Sequence, residues 1–367
     1  MPESEELRCV IAAGGTAGHV LPALAVAEAL GERGVRVSFA APPRPETRLL
    51  TDAGYDVDLF DVQGIPRELS RRSLRAVGID VAAPITCRRI LGRRRPAVAL
   101  GAGGYVGGPL VLAAWSLGIP AAVTEADAHL GLANRLAVPF SRRVFLSYPL
   151  DERDGEKYRV VGRPLPRRSR APSDSIEARR RFGLPEEGPV VLVVGGSLGA
   201  RRLNEAALEA FGPAEPPPEL PAVLHLAGSR DYAELAASPR RPGYRLLEFT
   251  DEFGAALAAA DLVVSRAGGV VWEIAAAGKP ALLVPYPHAT AEHQTKNARH
   301  FERAGGAVLV FEEQLDLRRQ VTELLADSPR LAQMGEAMRA ASRPDAAEAV
   351  ATELIALAQG PLDGSTS

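Results

Sequence analysis

The chain has 367 residues, enough for two domains that each bury a core of their own. With 46% hydrophobic and 24% charged residues and a formal net charge of −2, it has the composition of a soluble globular protein and no overall bias toward nucleic acid. Cys9 and Cys87 are its two cysteines, too few for a disulfide framework, and no Cys/His cluster suggests zinc.

The acidic start, MPESEELRCV, lacks the apolar segment of a signal peptide, and the longest apolar stretch, Pro109–Val123, is broken by Gly118 and Pro120. A location in the cytosol, or at most peripheral to a membrane, is expected. The first strand, Leu7–Ala12, runs into Gly14-Gly15-Thr16-Ala17-Gly18-His19 and then a helix. A glycine-rich strand-to-helix turn offers backbone N–H groups to an anion at the positive end of a helix. The spacing matches neither GxGxxG nor a P-loop. His19 lies at the turn, either bonding the backbone or handling a proton.

A strand at Val35–Ala40 precedes Asp56-Val57-Asp58, a DxD that lies in an alternating run and reads as the polar face of a strand; no metal is expected. Then comes a basic stretch, Arg67, Arg71, Arg72, Arg75, Arg88, Arg89, Arg93, Arg94 and Arg95, interleaved with Leu74, Val77, Ile79, Val81, Ile85, Ile90 and Leu91. It reads either as a surface for anionic lipid or as an amphipathic helix whose apolar side is core.

The strand Ala97–Gly101 leads into a glycine-rich turn with Gly103, Gly104 and Tyr105, suited to close approach of a ligand. Glu125 and Asp127 follow the strand Ala121–Thr124, as an acid/base pair or as helix caps, with Asn134 beyond them. After Arg143–Leu146, prolines 164, 166 and 172 mark a boundary within 161–189.

The second half repeats the plan. Val190–Val194 opens onto Gly195-Gly196-Ser197-Leu198-Gly199-Ala200, where main-chain N–H groups and the Ser197 hydroxyl can hold a diphosphate. Strands are predicted at Ala222–Ala227, Arg245–Phe249, Asp261–Ser265, Ala281–Val284 and Ala307–Phe311, with Pro213–Pro221 as a loop. After Asp261–Ser265 come Gly268, Gly269 and a helix carrying Glu273, a carboxylate placed either to accept ribose hydroxyls or to face solvent. Gln294 and Asn297 share one face of a later helix, and Asp345–Gln359 reads as an amphipathic helix. Strand and helix in alternation predict an α/β protein with two doubly wound domains. The division expected is 1–162, 163–343, a helix at 344–360 and a disordered tail at 361–367.

Four segments, GGTAGHVLPALAVAEAL, LGAGGYVGGPLVLAAWSLGIP, VLVVGGSLGARRLN and SRAGG…EIAAAGKPALLVPYPHATAEHQTKNA, resemble the MurG family (glycosyltransferase family 28), in order from about Cys9 to Ala356. The resemblance implies the GT-B fold, with two Rossmann-like domains across a cleft and the C-terminal helix packed back on the first. It implies inverting transfer of N-acetylglucosamine from UDP-GlcNAc to the lipid I acceptor at the anionic cytoplasmic face of the cell membrane, without cofactor or nucleic acid. Carried over by motif, Ser197 would meet the diphosphate, Glu273 the ribose and Gln294 the sugar, with Gly269 in the donor pocket. Thr16, Ala17 and Gly18 would face donor and acceptor phosphates, with His19 critical for activity. Gly14, Gly15, Gly103, Gly104, Tyr105 and Asn134 would serve the acceptor, and Arg266 would support the donor loop. The base would be His19, Glu125 or Asp127.

There are departures from the family pattern. Asp127 replaces a sugar-contacting Asn, and the element after Arg266 is one residue short, reading Gly269-Val270-Val271. Pro166 stands at the Arg of a Gly-Asn-Pro-Val-Arg motif, leaving Arg163 or Arg167 as a donor-binding substitute. Competing readings are a related glycosyltransferase with another lipid or natural-product acceptor, a UDP-sugar epimerase, and a non-catalytic UDP-sugar-binding scaffold.

Overall fold

The computed structural model describes residues 6–15, 17–63, 71–151, 153–169, 171–172, 174–213 and 220–360; the side chains of 17, 71–81 and 168 lie outside that description. The chain forms two compact units, Met1–Pro166 with Pro344–Ser367, and Arg167–Arg343.

The first unit runs β1 (Arg8–Ala12), α1 (Ala17–Gly31), β2 (Arg36–Ala41), α2 (Arg48–Asp52), β3 (Asp56–Leu59) and α3 (Arg71–Arg94). It continues with β4 (Val98–Gly101), α4 (Gly104–Ser116), β5 (Ala121–Glu125), α5 (Leu132–Ala137), β6 (Arg143–Leu146) and β7 (Tyr158–Val160). All strands are parallel, in the order β3-β2-β1-β4-β5-β6-β7. Both faces are covered, so the inner strands are mostly apolar. Cys9 and Ile11 pack with Val20, Leu24 and Leu30 of α1, whereas Val10 and Ala12 pack with Ile90 and Leu91 of α3 and Val106 and Leu110 of α4.

The second unit runs α6 (Ser175–Arg181), β8 (Val190–Val194), α7 (Arg201–Phe211), β9 (Ala222–Leu226), α8 (Tyr232–Ala236), β10 (Tyr244–Leu247), α9 (Phe253–Ala259) and β11 (Leu262–Ser265). There follow α10 (Val270–Ala276), β12 (Ala281–Leu283), α11 (His293–Arg303), β13 (Ala307–Leu309), α12 (Leu317–Leu325) and α13 (Ser328–Ala341). Its parallel sheet has the order β10-β9-β8-β11-β12-β13. The last helix, α14 (Ala346–Gln359), returns to the first unit, where Val350, Ala351 and Leu354 enter the core under α1.

In each sheet the strand order reverses beside the first strand, between β1 and β4 and again between β8 and β11. Such a reversal opens a crevice at the carboxyl ends of the strands, where α/β proteins bind ligands. Both glycine-rich turns lie there.

The expected boundary shifts, and one strand is added. Residues 163–166 belong with the first unit: Val161 and Gly162 donate N–H to Leu146 O, and Arg163 donates to Gly18 O. Among the strands, β7 has no counterpart in the sequence reading; it is three half-buried residues at the sheet edge, without a β-branched run. Thr16, Arg67 and 361–367 lie outside the described residues.

Candidate active site

In the first unit the turn after β1 meets the turn after β4. Gly15, at φ +94°, has the Tyr105 ring where a Cβ would contact it at 3.2 Å, and the Arg44 guanidinium lies 5.7 Å from the centre of that ring. His19 lies against Gly103 and Gly104, at φ +81° and +65°, and a Cβ on Gly103 would come within 2.7 Å of its Cδ2. Glycine is required there both for the backbone and for the ring. Arg163, buried, donates to the carbonyl of Gly18 in the first turn of α1. Burial pushes the His19 pKa below its usual value, the Arg163 charge adds to this, and Asp127 partly offsets it. The imidazole is therefore neutral near pH 7, the form that accepts a proton.

Glu125 is a different kind of residue. Its Oε1 accepts N–H bonds from Ala126 (2.9 Å) and Asp127 (3.3 Å), and its Oε2 accepts from Gly131 and Asn134 Nδ2, both at 2.9 Å. Asn134 Nδ2 also reaches Thr124 O at 2.9 Å. Burial raises the Glu125 pKa and these donors pull it back. With both oxygens engaged, Glu125 organises the loop that follows β5, while α5 itself starts after Gly131 without a side-chain cap. Asp127, half-buried, brings its charge to His19.

In the second unit the turn after β8 is held from beneath. Gly196 and Gly199 have φ of +94° and +82°, and a Cβ on Gly199 would meet Ala227 O at 2.0 Å. Ser229 N–H donates to Ser197 O at 3.2 Å, which leaves the exposed Ser197 side chain at the rim. Below, Asn204 Nδ2 donates to Ala227 O (2.9 Å) and Asp231 Oδ2 (3.1 Å), while its Oδ1 lies 3.0 Å from His225 Nε2. His225 Nδ1 lies 2.8 Å from Tyr244 Oη. With both amide protons of Asn204 spent on acceptors, Nε2 of His225 donates and Nδ1 accepts from the phenol. His225 is fully buried, its pKa lowered to about 3 by desolvation.

Arg266, predicted to support the donor loop, is buried; it donates to Val284 O and Pro285 O at 3.1 Å and pairs with Glu312. Asn297 Nδ2 ties α11 to Ala267 O at 3.1 Å. Gly269 caps α10, with Glu273 in its first turn, half-buried. Gln294 Oε1 accepts the Tyr286 N–H at 2.9 Å, so its amide nitrogen is the end that can meet a ligand. Phe249 lies 65% exposed beyond β10 at the same end of the sheet, although an apolar residue at a strand's end looks like core in the sequence.

The sequence reading placed Thr16, Ala17, Gly18, Asp127 and Arg163 with the donor pocket, and the structure puts all but the undescribed Thr16 in the first unit. Ser197, Gly269, Glu273 and Gln294 gather at the carboxyl ends of the second sheet. Asp56 and Asp58 are neutralised by Arg94 (2.9 and 2.7 Å), and Asp58 also by Arg93 (2.9 Å). Of the basic stretch, Arg88 holds Ser116 and Ile90 and Leu91 are core. The side chains of Arg71, Arg72, Arg75, Leu74, Val77, Ile79 and Val81 lie outside the description.

The family models for the N-terminal and C-terminal domains of glycosyltransferase family 28 match residues 9–146 and 190–350. A Salinibacter ruber protein named UDP-N-acetylglucosamine–N-acetylmuramyl-(pentapeptide) pyrophosphoryl-undecaprenol N-acetylglucosamine transferase is 40% identical over 94% of this chain and 95% of its own. Its namesake in Acidithiobacillus ferrooxidans is 41% identical over 96% and 98%. The chain belongs to glycosyltransferase family 28. Its structure is similar to that of Acinetobacter baumannii MurG, with a TM-score of 0.75 and 29% identity over 95% of this chain and 99% of that one. The fold is GT-B, and the family makes the protein a transferase. A UDP-GlcNAc 2-epimerase from Neisseria meningitidis, at 15% identity and a TM-score of 0.63 over 95% of this chain and 99% of that one, shares the fold alone.

Proposed function

We propose that this chain transfers N-acetylglucosamine from UDP-GlcNAc to the N-acetylmuramyl 4-hydroxyl of lipid I, undecaprenyl-pyrophosphoryl-MurNAc-pentapeptide, giving lipid II for peptidoglycan. The observation that carries this is identity of 40–41% over nearly the whole chain to relatives bearing that activity in their names. The site chemistry supports it. The acceptor hydroxyl attacks the anomeric carbon, its proton passes to neutral His19, and the bond from that carbon to the diphosphate breaks with inversion. Charge developing on UDP is received by main-chain N–H groups and Ser197 in the turn before α7.

Glu273 takes the ribose hydroxyls, Gln294 the sugar, and Phe249 offers a flat apolar face to the base. Gly269 lets the donor approach the backbone. The acceptor pyrophosphate faces Gly14, Gly15, Gly103, Gly104 and Tyr105, and the start of α1 at Ala17 and Gly18. Asn134 acts through Glu125. The reading needs neither metal nor cofactor.

The acceptor lies in a membrane, and the first unit has a surface to meet it. Trp115, 58% exposed, touches Phe140 with ring centres 5.1 Å apart, and Ile85, Leu132 and Leu136 are also exposed on α3 and α5, both of which pack against α4. Arg89 of α3 and Arg135 of α5 are exposed, as is Arg142 in the loop before β6, and Arg88 is anchored on Ser116 beside Trp115. Apolar side chains ringed by arginine suit an anionic bilayer at about 1 kcal/mol per charge. Peripheral binding at the cytoplasmic face follows. Among the described residues no helix is long and apolar enough to cross a membrane.

The test is incubation with labelled UDP-GlcNAc and a lipid I analogue. Transfer of label with unchanged turnover under chelator is expected. Transfer to other acceptors alone, acceptor-free epimerisation, or UDP binding without turnover would each replace the reading with one of its rivals.

A further inference from the structure

Pro22 stands inside α1, and proline has no N–H. In an α-helix the N–H of residue 22 bonds to the carbonyl of residue 18. The Gly18 carbonyl thus loses its ordinary donor, one residue before His19. The missing donor comes from elsewhere in the chain: Arg163 Nη2 donates to Gly18 O, from a side chain only 7% exposed. Arg163 arrives from the segment after β7, which is tied down by the N–H groups of Val161 and Gly162 on Leu146 O. A guanidinium is costly to bury unless it is hydrogen-bonded, so its placement on this one carbonyl is specific.

We propose that Arg163 is a positioning residue for His19: it replaces the N–H that Pro22 removes from α1 and fixes the first turn of that helix, so that the imidazole rests on Gly103 and Gly104. The inference rests on the reading of His19 as the proton acceptor. It also replaces the expectation that Arg163 binds the donor.

Two charges bear on the ring, Arg163 disfavouring its protonated form and Asp127 favouring it. The elements around His19 contribute few other titratable groups. The first turn of α4 brings Tyr105, which lies on Gly15; the end of β5 brings Glu125, whose oxygens are engaged by N–H donors, and the loop beyond it brings Asp127. The segment after β7 brings Arg163. Burial and the Arg163 charge thus keep His19 neutral, and Asp127 opposes them in part.

The test uses the full chain with Arg163→Met, Arg163→Asn and Asp127→Asn, and repeats the first in a Pro22→Ala background. Arg163→Met is expected to lower kcat roughly tenfold or more, the cost of an unpaired buried carbonyl and a loosened turn, with donor KM within about twofold. Pro22→Ala gives the helix its N–H back and should recover most of that loss. Arg163→Asn, which removes the charge, should move the acid limb of the pH profile upward, whereas Asp127→Asn should move it downward. The His19 ring resonances should titrate in the same directions.

A loss that Pro22→Ala leaves unrecovered, a rise in donor KM, or an acid limb and ring titration unmoved by Arg163→Asn would overturn the proposal. If Arg163→Met does not fold, Arg163→Asn and its ring titration decide alone. Full turnover in His19→Ala would sink the proton role instead, and the ring titration would still judge the placement of Arg163.

Discussion

The two units place a glycine-rich turn at the same point of the same sheet order, and then furnish it in opposite ways. Around the turn after β1 stand groups that titrate or carry charge: His19, Glu125, Asp127 and Arg163. Beneath the turn after β8 the network Asn204–His225–Tyr244 is buried, and its histidine is held neutral far below the usual range. One scaffold serves both because the turn supplies only main-chain N–H groups and a helix start. What the site does with them depends on the side chains packed around it. A proton acceptor needs a tunable environment, while a cradle for charge needs a stiff one.

Replacing a group on one side should therefore change rate, and on the other donor binding or stability. The largest effect is expected from His19→Ala, which should cut kcat by ~10²–10⁴-fold with donor KM little changed. Steady-state kinetics at saturating acceptor measures it, and near-normal kcat would remove the first turn from proton handling. Gly199→Ala should cost about 3–5 kcal/mol of stability, since its Cβ would meet the fixed carbonyl of Ala227 in a left-handed backbone. Gly103→Ala makes the sharper contrast: its Cβ meets the His19 ring, so it should lower kcat roughly 10–100-fold at a smaller cost in stability. Denaturant unfolding beside kinetics separates the two, and equal stability losses would erase the distinction between the turns.

Glu273→Ala should raise donor KM by about 10–100-fold, the worth of a charge-assisted hydrogen bond, and leave acceptor KM alone. The mildest test is pH. A histidine with a folded pKa of about 3, against 6.5 as the usual value, is protonated first in the unfolded chain, so stability should fall as pH drops from about 6.5 toward 3. The slope from His225 is at most about 1.4 kcal/mol per pH unit. Unfolding curves across that range should show it, and a His225→Gln variant with an unchanged slope would assign the effect elsewhere.

Much of this was legible in the chain. The expected strands lie within two residues of those found, because parallel strands covered on both faces are nearly pure apolar runs bounded by turn residues. The glycine turns were legible for a related reason: left-handed backbone and close approach admit almost no other residue. Less legible was the fate of each polar side chain. Glu125 and Asp127 look alike on paper, yet the structure buries one under N–H donors and brings the charge of the other to a histidine. The arginines of α3 read either as a lipid surface or as the polar side of an amphipathic helix, and Arg93 and Arg94 are spent on Asp56 and Asp58.

The amino-acid sequence by itself determined two doubly wound α/β halves, their phosphate-type turns and the family. Periodicity, glycine placement and motif order are local properties, and they survive being read in one dimension. Only the tertiary structure decided that Arg163 completes α1 across Pro22, that His225 lies under the second turn, and that Trp115, Leu132 and Leu136 face outward. These are contacts between residues far apart in the chain, or matters of which face a neighbour covers. Their energies depend on burial and on the partner present, and neither is written at the residue itself.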